Sequence, residues 1–427
     1  MPSLARLTRL PVLALTYAVL RASAVWGLHP ATFPDSAGYL HLDVSSPVAR
    51  TWPVPLLYSL VRPNALRVGM HVILGVLAWT WLARVLARSS RFPAVVMVAT
   101  FLVGLTPQVI RYDLTILSES IAVTLGVAMV AATMNVAATG TTRTATQWVL
   151  VMTVFSMVRP QHMIVLFAAA GIVVARSAGK RAFPGALGIM ILGASVIGFW
   201  QFRANRPTGE LNLYTVVTER VMNDDARFAW FVAHGMPDVP GMRQAQSYDY
   251  IEQVPPELLT YLQLPAGQAP PALIRVGGMQ FAQWVRHHGW STYARYVLTH
   301  PSDTKARILD LASPTLDPVN DDFLPLDSRT IVPRWLFAPW KLCLVTAAAG
   351  AVFAVLTGRL RRAGMLTSMV LSTAIIYCAA MLTSGIEHPR HASMVAVLFR
   401  VCALAGAAEL VRRDVNADAT SSVPPAG

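Results

Sequence analysis

The sequence predicts an all-α polytopic membrane protein of about ten transmembrane helices with an extracytoplasmic, mainly α-helical soluble insert. Three observations carry that expectation. Of 427 residues, 54% are hydrophobic and 13% are charged, where a soluble domain carries about 25% charged residues. Apolar runs of membrane-spanning length recur along the chain, and basic residues gather in the turns that one side would hold. Mean hydropathy is +0.49. The 35 Lys+Arg against 22 Asp+Glu give a charge of +13. In a membrane protein that excess points to positive-inside loops and anionic headgroups before nucleic acid. Cys343, Cys378 and Cys402 all sit in apolar runs without a CxxC pair, which argues against a disulfide framework or a Cys-based zinc site.

Spans are expected near 9–27, 65–87, 92–110, 114–138, 147–158, 161–176, 183–202, 335–357, 364–384 and 392–411. Arg6 and Arg9, Arg88 and Arg91, Arg143, Arg176 with Lys180 and Arg181, Arg359 with Arg361 and Arg362, and Arg412 with Arg413 then share one side, the cytoplasm. Two short helices meeting at Arg159-Pro160, instead of one long span, keep that pattern intact. The run from Leu10 continues through Trp26 and reads as a signal anchor, with cleavage after Ala22-Ser23-Ala24 the weaker reading and Arg21 snorkelling to the outer interface.

This division gives an N-terminal membrane domain, 1–202, of about seven spans with a first outer loop at 28–64. A soluble domain follows at 203–334, then about three helices at 335–411 and a cytoplasmic, disordered tail at 412–427. Both termini face the cytoplasm and the insert faces outward. Its aromatic residues, among them Tyr214, Trp230, Trp284, Trp290, Tyr293 and Tyr296, are too many for disorder. Residues 272–300 read as helical, broken at His288-Gly289 and stopped by Pro301. Pro314, Pro318, Pro325 and Pro333 read as an extended return to the membrane.

Acids are scarce outside the insert: Asp35, Asp43, Asp113, Glu119, Glu387, Glu409, Asp414 and Asp418. The first five converge on the outer side with Arg111, Arg159, His162, His388, Arg390 and His391, as an active site at the membrane surface would require. A solvated rim is the plainer alternative. Asp35, in Phe33-Pro34-Asp35-Ser36, either caps a helix at 36–42 or accepts the proton of an attacking hydroxyl. Glu119 lies one turn into an apolar helix and needs a cationic partner, Arg111 or Arg159. Glu387-His388-Pro389-Arg390-His391 is the densest polar turn, and Arg with His suits a phosphate at headgroup level. A metal at His388 and His391 is the weaker reading, because no comparable ligand set accompanies them. Arg400, deep in the last span, reads as a buried structural pair. No cofactor is called for. A divalent cation at Asp224-Asp225 or Asp321-Asp322 is the one candidate, though adjacent loop acids are usually solvated.

Asp35 in the first outer loop, the Pro-rich stretch ending in Tyr58, Arg111-Tyr112-Asp113 with Leu117-Ser118-Glu119, Arg159-Pro160 and Glu387-x-x-Arg390-His391 together resemble GT-C-type integral membrane glycosyltransferases, mannosyl- and arabinosyltransferase-like branches in particular. The resemblance covers roughly 1–200 and 335–411. It implies a polyprenyl-phosphate sugar donor, inverting transfer to a cell-envelope glycan, lipid or protein acceptor, and a location at the outer face of the cytoplasmic membrane. By position, it implies Asp35 as general base and Glu119 as the residue orienting the site. Arg159, His162, Arg390 and His391 would hold the lipid phosphate, with Arg111, Asp113, Tyr58 and Glu387 in support. The rival readings are a lipid-linked-oligosaccharide flippase or transporter, which would show internal symmetry, a lipid-linked-sugar ligase using Arg residues of the outer segment, and a non-catalytic scaffold.

Overall fold

A computed structural model of the chain describes residues 9–42, 50–88, 90–158, 212–238, 243, 278–317, 328–385 and 387–412. All regular elements among them are helical, and pairing is limited to the isolated bridges Ala31 with Thr115 and Ser90 with Arg412. The helices are α1 (Arg9–Val25), α2 (Pro53–Leu60), α3 (Asn64–Ala87), α4 (Pro93–Gly104), α5 (Glu119–Thr139), α6 (Thr142–Val158), α7 (Asp225–Ala233), α8 (Gly278–Trp284), α9 (Trp290–Thr299), α10 (Pro301–Leu316), α11 (Trp340–Leu356), α12 (Leu360–Thr383) and α13 (His388–Leu410). Proline stands in the first turn of α2, α4, α10 and α13, where its missing N–H would have no intrahelical partner anyway. Gly140, at φ 60°, stops α5 in the left-handed conformation that a side chain would resist.

Among the described residues the protein is all-helical, and its apolar helices mark it as a membrane protein. Helices α3, α5, α12, α13 and Arg334–Leu356, which contains α11, are each long and apolar enough to cross a bilayer. A sixth crossing is formed if Pro93–Gly104 and Pro107–Leu114, bent by 56°, count as one. The expected spans 161–176 and 183–202 lie outside the described residues, as does the tail beyond Arg412. At one end of the bundle Glu409 binds Arg359, Arg362 and Arg412, and the Arg91 N–H donates to Val411 O. The opposite end carries Asp35, Glu119 and Glu387. Helices α11 and α13 approach backbone to backbone: a Cβ on Gly350 would lie 2.5 Å from Gly406 Cα.

Several expectations are corrected. The run 92–110 is not one straight span, because Thr106 is extended and Pro107 cannot continue the ladder of α4. The following helix starts at Glu119 instead of 114, since Leu114 and Ile116 hydrogen-bond across to Ala31 and fix the loop between α1 and α2 to the bundle. Arg21 does not snorkel. It is buried at 1% exposure and grips Asp113 with Nε and Nη2 at 2.8 and 3.0 Å. Gly75 makes room for it, as a Cβ there would sit 2.6 Å from the guanidinium.

In the segment between α6 and α10, Tyr214, Phe231, Phe281, Trp284, Tyr293 and Tyr296 form a second hydrophobic core, so these aromatics are interior packing. His288-Gly289 does not break the helix: Val285–Gly289 is a π-turn joining α8 to α9, and Gly289 has no room for a Cβ beside Leu213. Pro314 lies inside α10, not in an extended return. Ala312 and Leu316 of α10 belong to the main core, and Arg400 pairs with Asp317 at 2.5 Å, so α10 fastens this segment to the last span. Arg400 thus is the buried structural pair expected of it. Pro318 and Pro325 lie outside the described residues, and Pro333 precedes the single turn Arg334–Leu336.

Candidate active site

Three chain segments supply one charged cluster. The first is the loop between α1 and α2, where Pro34–Ser36 forms a single 3-10 turn closed by the Phe33 N–H donating to Ser36 Oγ at 2.9 Å. Asp35 is therefore not a helix cap. Its Oδ1 accepts from Arg50 Nη2 at 2.6 Å and its Oδ2 from Arg390 Nη2 at 3.0 Å. The second is the start of α5, which buries Glu119 completely, and the third is the start of α13. There Arg390 donates from Nε to Glu119 Oε1 at 2.7 Å and from Nη1 to Glu387 Oε2 at 2.6 Å.

One guanidinium thus faces three carboxylates in three directions. Its planar fork suits that task, which an ammonium could not match. Glu387 pays a conformational cost, standing at φ 53° where a side chain costs about 1–2 kcal/mol, and its ion pair to Arg390 offsets it. Burial grades across the cluster: Glu119 is 0% exposed, Arg390 6% and Asp35 39%. The accessible face is therefore the Asp35 carboxylate with Arg50 beside it, and Arg50 also lies 5.4 Å over the Tyr39 ring.

Among the described residues Glu119 pairs with Arg390, a cation not expected for it, and Arg111, one of its two expected partners, donates to the Tyr112 hydroxyl. Arg159 and His162 lie outside the described residues. Arg390, expected to hold a phosphate, donates from each of its three nitrogens to a carboxylate. His391 sits half-buried beside it, its backbone N–H donating to Glu387 O. Asp113 and Tyr58 lie behind the cluster. Asp113 completes the Arg21 knot and accepts from Ser120 Oγ at 2.8 Å. Tyr58 donates to Leu117 O at 2.7 Å and meets His71 Nε2 at 2.8 Å, while His71 Nδ1 reaches Asp113 O. Both support the loop from which α5 starts. Burial holds the Tyr58 hydroxyl protonated well above its ordinary range, with Glu119 adding to the effect.

Among the described residues no group of three His, Cys, Asp or Glu side chains could hold a metal ion. Asp224 caps α7 by accepting from the Arg227 N–H, and Asp225 pairs with Arg243, so this acid pair has structural partners in place of a cation. Asp321-Asp322 lies outside the described residues. Sequence reasoning passed over Arg50 and His71 and misplaced Arg21. A lone Arg in a loop gives no periodic signal, and Arg21 is identifiable only through the acid it meets 92 residues later. Comparison with known proteins finds no matching family model, no matching curated protein and no matching solved structure.

Proposed function

We propose that the protein is a membrane glycosyltransferase that moves a sugar from a polyprenyl-phosphate donor to a cell-envelope glycan, lipid or protein acceptor, with inversion. The observation carrying this reading is the Asp35 carboxylate: at 39% exposure it is the most accessible acid of the ion network, held by Arg50 and Arg390 at the acidic end of an apolar bundle. Clamped on both oxygens, it has one orientation in which to receive the proton of an acceptor hydroxyl. That hydroxyl attacks the anomeric carbon as the bond to the phosphate oxygen breaks, and a single displacement needs no second carboxylate as nucleophile. Glu119 and Glu387 act by fixing Arg390 and through it Asp35.

In this reading the basic end, with Arg359, Arg362 and Arg412, faces the cytoplasm with both termini. About ten spans complete the membrane part, and residues 203–334 lie outside. The test compares envelope glycans and glycolipids of a deletion strain complemented with wild type or Asp35→Asn at equal membrane levels. A missing sugar restored by wild type alone supports the assignment; full restoration by the variant sinks it.

A further inference from the structure

A second charged cluster adjoins the turn that carries Glu387 and Arg390: Arg220 Nη1 donates to the Tyr293 hydroxyl at 2.6 Å, and that hydroxyl donates to Leu382 O. In the outer segment, Asp303 accepts from Arg220 Nη2 at 3.1 Å and Arg227 Nη2 at 2.8 Å. Arg220 is 4% exposed and its Nε has no acceptor. One turn along α10 from Asp303, Arg307 is half-buried and makes no ion pair or hydrogen bond among the described residues. Its charged neighbours include Arg220, Arg227 and Glu219, and its own charge acts on His388. Asp224 also lies 3.8 Å from Arg227, so Asp303, Asp224 and Glu219 balance the three guanidiniums in number, but among the described residues none of these acids pairs with Arg307, and an imidazole adjoins it.

A half-buried guanidinium without a carboxylate, next to a buried one with an idle donor, is a costly arrangement unless an anion completes it. Burial and the neighbouring Arg220 weaken the hold of Arg307 on its own proton, as expected for crowded cations. The turn 384–391 carries both clusters. Tyr293 of the outer segment donates to Leu382 O at 2.9 Å just before it, and Gly385 leaves no room for a Cβ against the Thr215 backbone, so the two faces are held together.

We infer that Arg307, with Arg220 and His388, forms an anion site that takes the phosphate group of a phosphate ester. As a donor subsite it rests on the glycosyltransferase reading: the phosphate leaves on the Arg307 side while the acceptor is deprotonated on the Asp35 side. The full-length protein in phosphatidylcholine nanodiscs is titrated with a short-chain polyprenyl phosphate and, separately, with inorganic phosphate, following tryptophan fluorescence. Arg307→Gln should weaken binding at least tenfold with an unchanged melting temperature. Arg307→Lys should retain part of the affinity and serves if the Gln variant fails to fold, and Lys305→Gln, exposed on the same helix, should bind as wild type. Binding of polyprenyl phosphate alone, dependent on Arg307, identifies a lipid ligand; the same dependence with inorganic phosphate identifies the phosphate group as sufficient. Equal affinities of wild type and both Arg307 variants, or no saturable binding of either probe to wild type, overturn the site. No sugar transfer is read, so this experiment and the glycan complementation fail independently.

Discussion

Arg390 Nη2 donates to Asp35 Oδ2 at 3.0 Å, joining the first turn of the last helix to a loop 355 residues earlier. The same guanidinium reaches Glu119 at 2.7 Å, so the position of Asp35 is fixed by a buried ion pair and not by its own loop alone.

Replacing Asp35 by Asn keeps the shape and removes the base. Transfer should fall by a factor of about 10²–10⁴, the usual worth of a general base, with unchanged membrane levels. Quantifying product in membranes supplied with donor checks this, and wild-type turnover by the variant would exclude Asp35 from the chemistry.

Arg390→Met leaves Glu119 buried without this partner. Loss of one member of a buried pair costs about 3–5 kcal/mol, so the melting temperature in detergent should drop sharply. Glu119→Gln should cost less, because Asp35 and Glu387 still hold Arg390. Equal losses in both variants would contradict the asymmetry.

The Arg21–Asp113 pair is buried at 1% on both sides. Either Arg21→Met or Asp113→Asn alone should destabilise by about 3–5 kcal/mol, and the double variant should recover much of that. A thermal double-mutant cycle reads the coupling. Simple additivity would mean that the pair does not act as a unit.

Asp303 is expected to make the outer segment acid-sensitive. Burial raises its pKa, but Arg227, the Tyr296 hydroxyl and Arg220 outweigh it and hold the carboxyl below its ordinary value. A carboxyl depressed in the folded state contributes stability in full above its ordinary pKa, and that contribution is lost as pH falls through the folded value. Tryptophan fluorescence between pH 7 and 3 should show an acid transition that Asp303→Asn flattens. An unchanged profile in the variant would assign the transition to other groups.

Gly350→Ala places a methyl group 2.5 Å from the Gly406 backbone, which cannot yield as a flexible side chain would. The two helices must separate, and overpacking of this kind costs about 1–3 kcal/mol. Gly364, with open space around it, is the control: Gly364→Ala should leave the melting temperature unchanged.

Helices α3, α5, α12 and α13 were legible because a long apolar run is a local signal, and the Arg clusters in the turns marked their ends. So was the gathering of Asp35, Glu119 and Glu387 at one end, since acids are rare enough in this chain for them to stand out. The kink at Thr106-Pro107 and the π-turn before Trp290 were not read correctly. In each the local breaker was visible, but whether the chain bends or continues depends on what packs against it, as Leu213 does at Gly289. The pairing of charges was hidden for the same reason. Glu119 had Arg111 nearby in sequence, yet it also pairs with Arg390, 271 residues away, because a buried carboxylate is neutralised by the cations that the packed helices bring to it. The sequence by itself determined the solvent of this protein and the kinds of groups at its acidic end. Which of them meet, and which of them stays accessible, was decided by helix packing, because apolar burial sets the positions and the ion pairs form only between side chains those positions bring within reach.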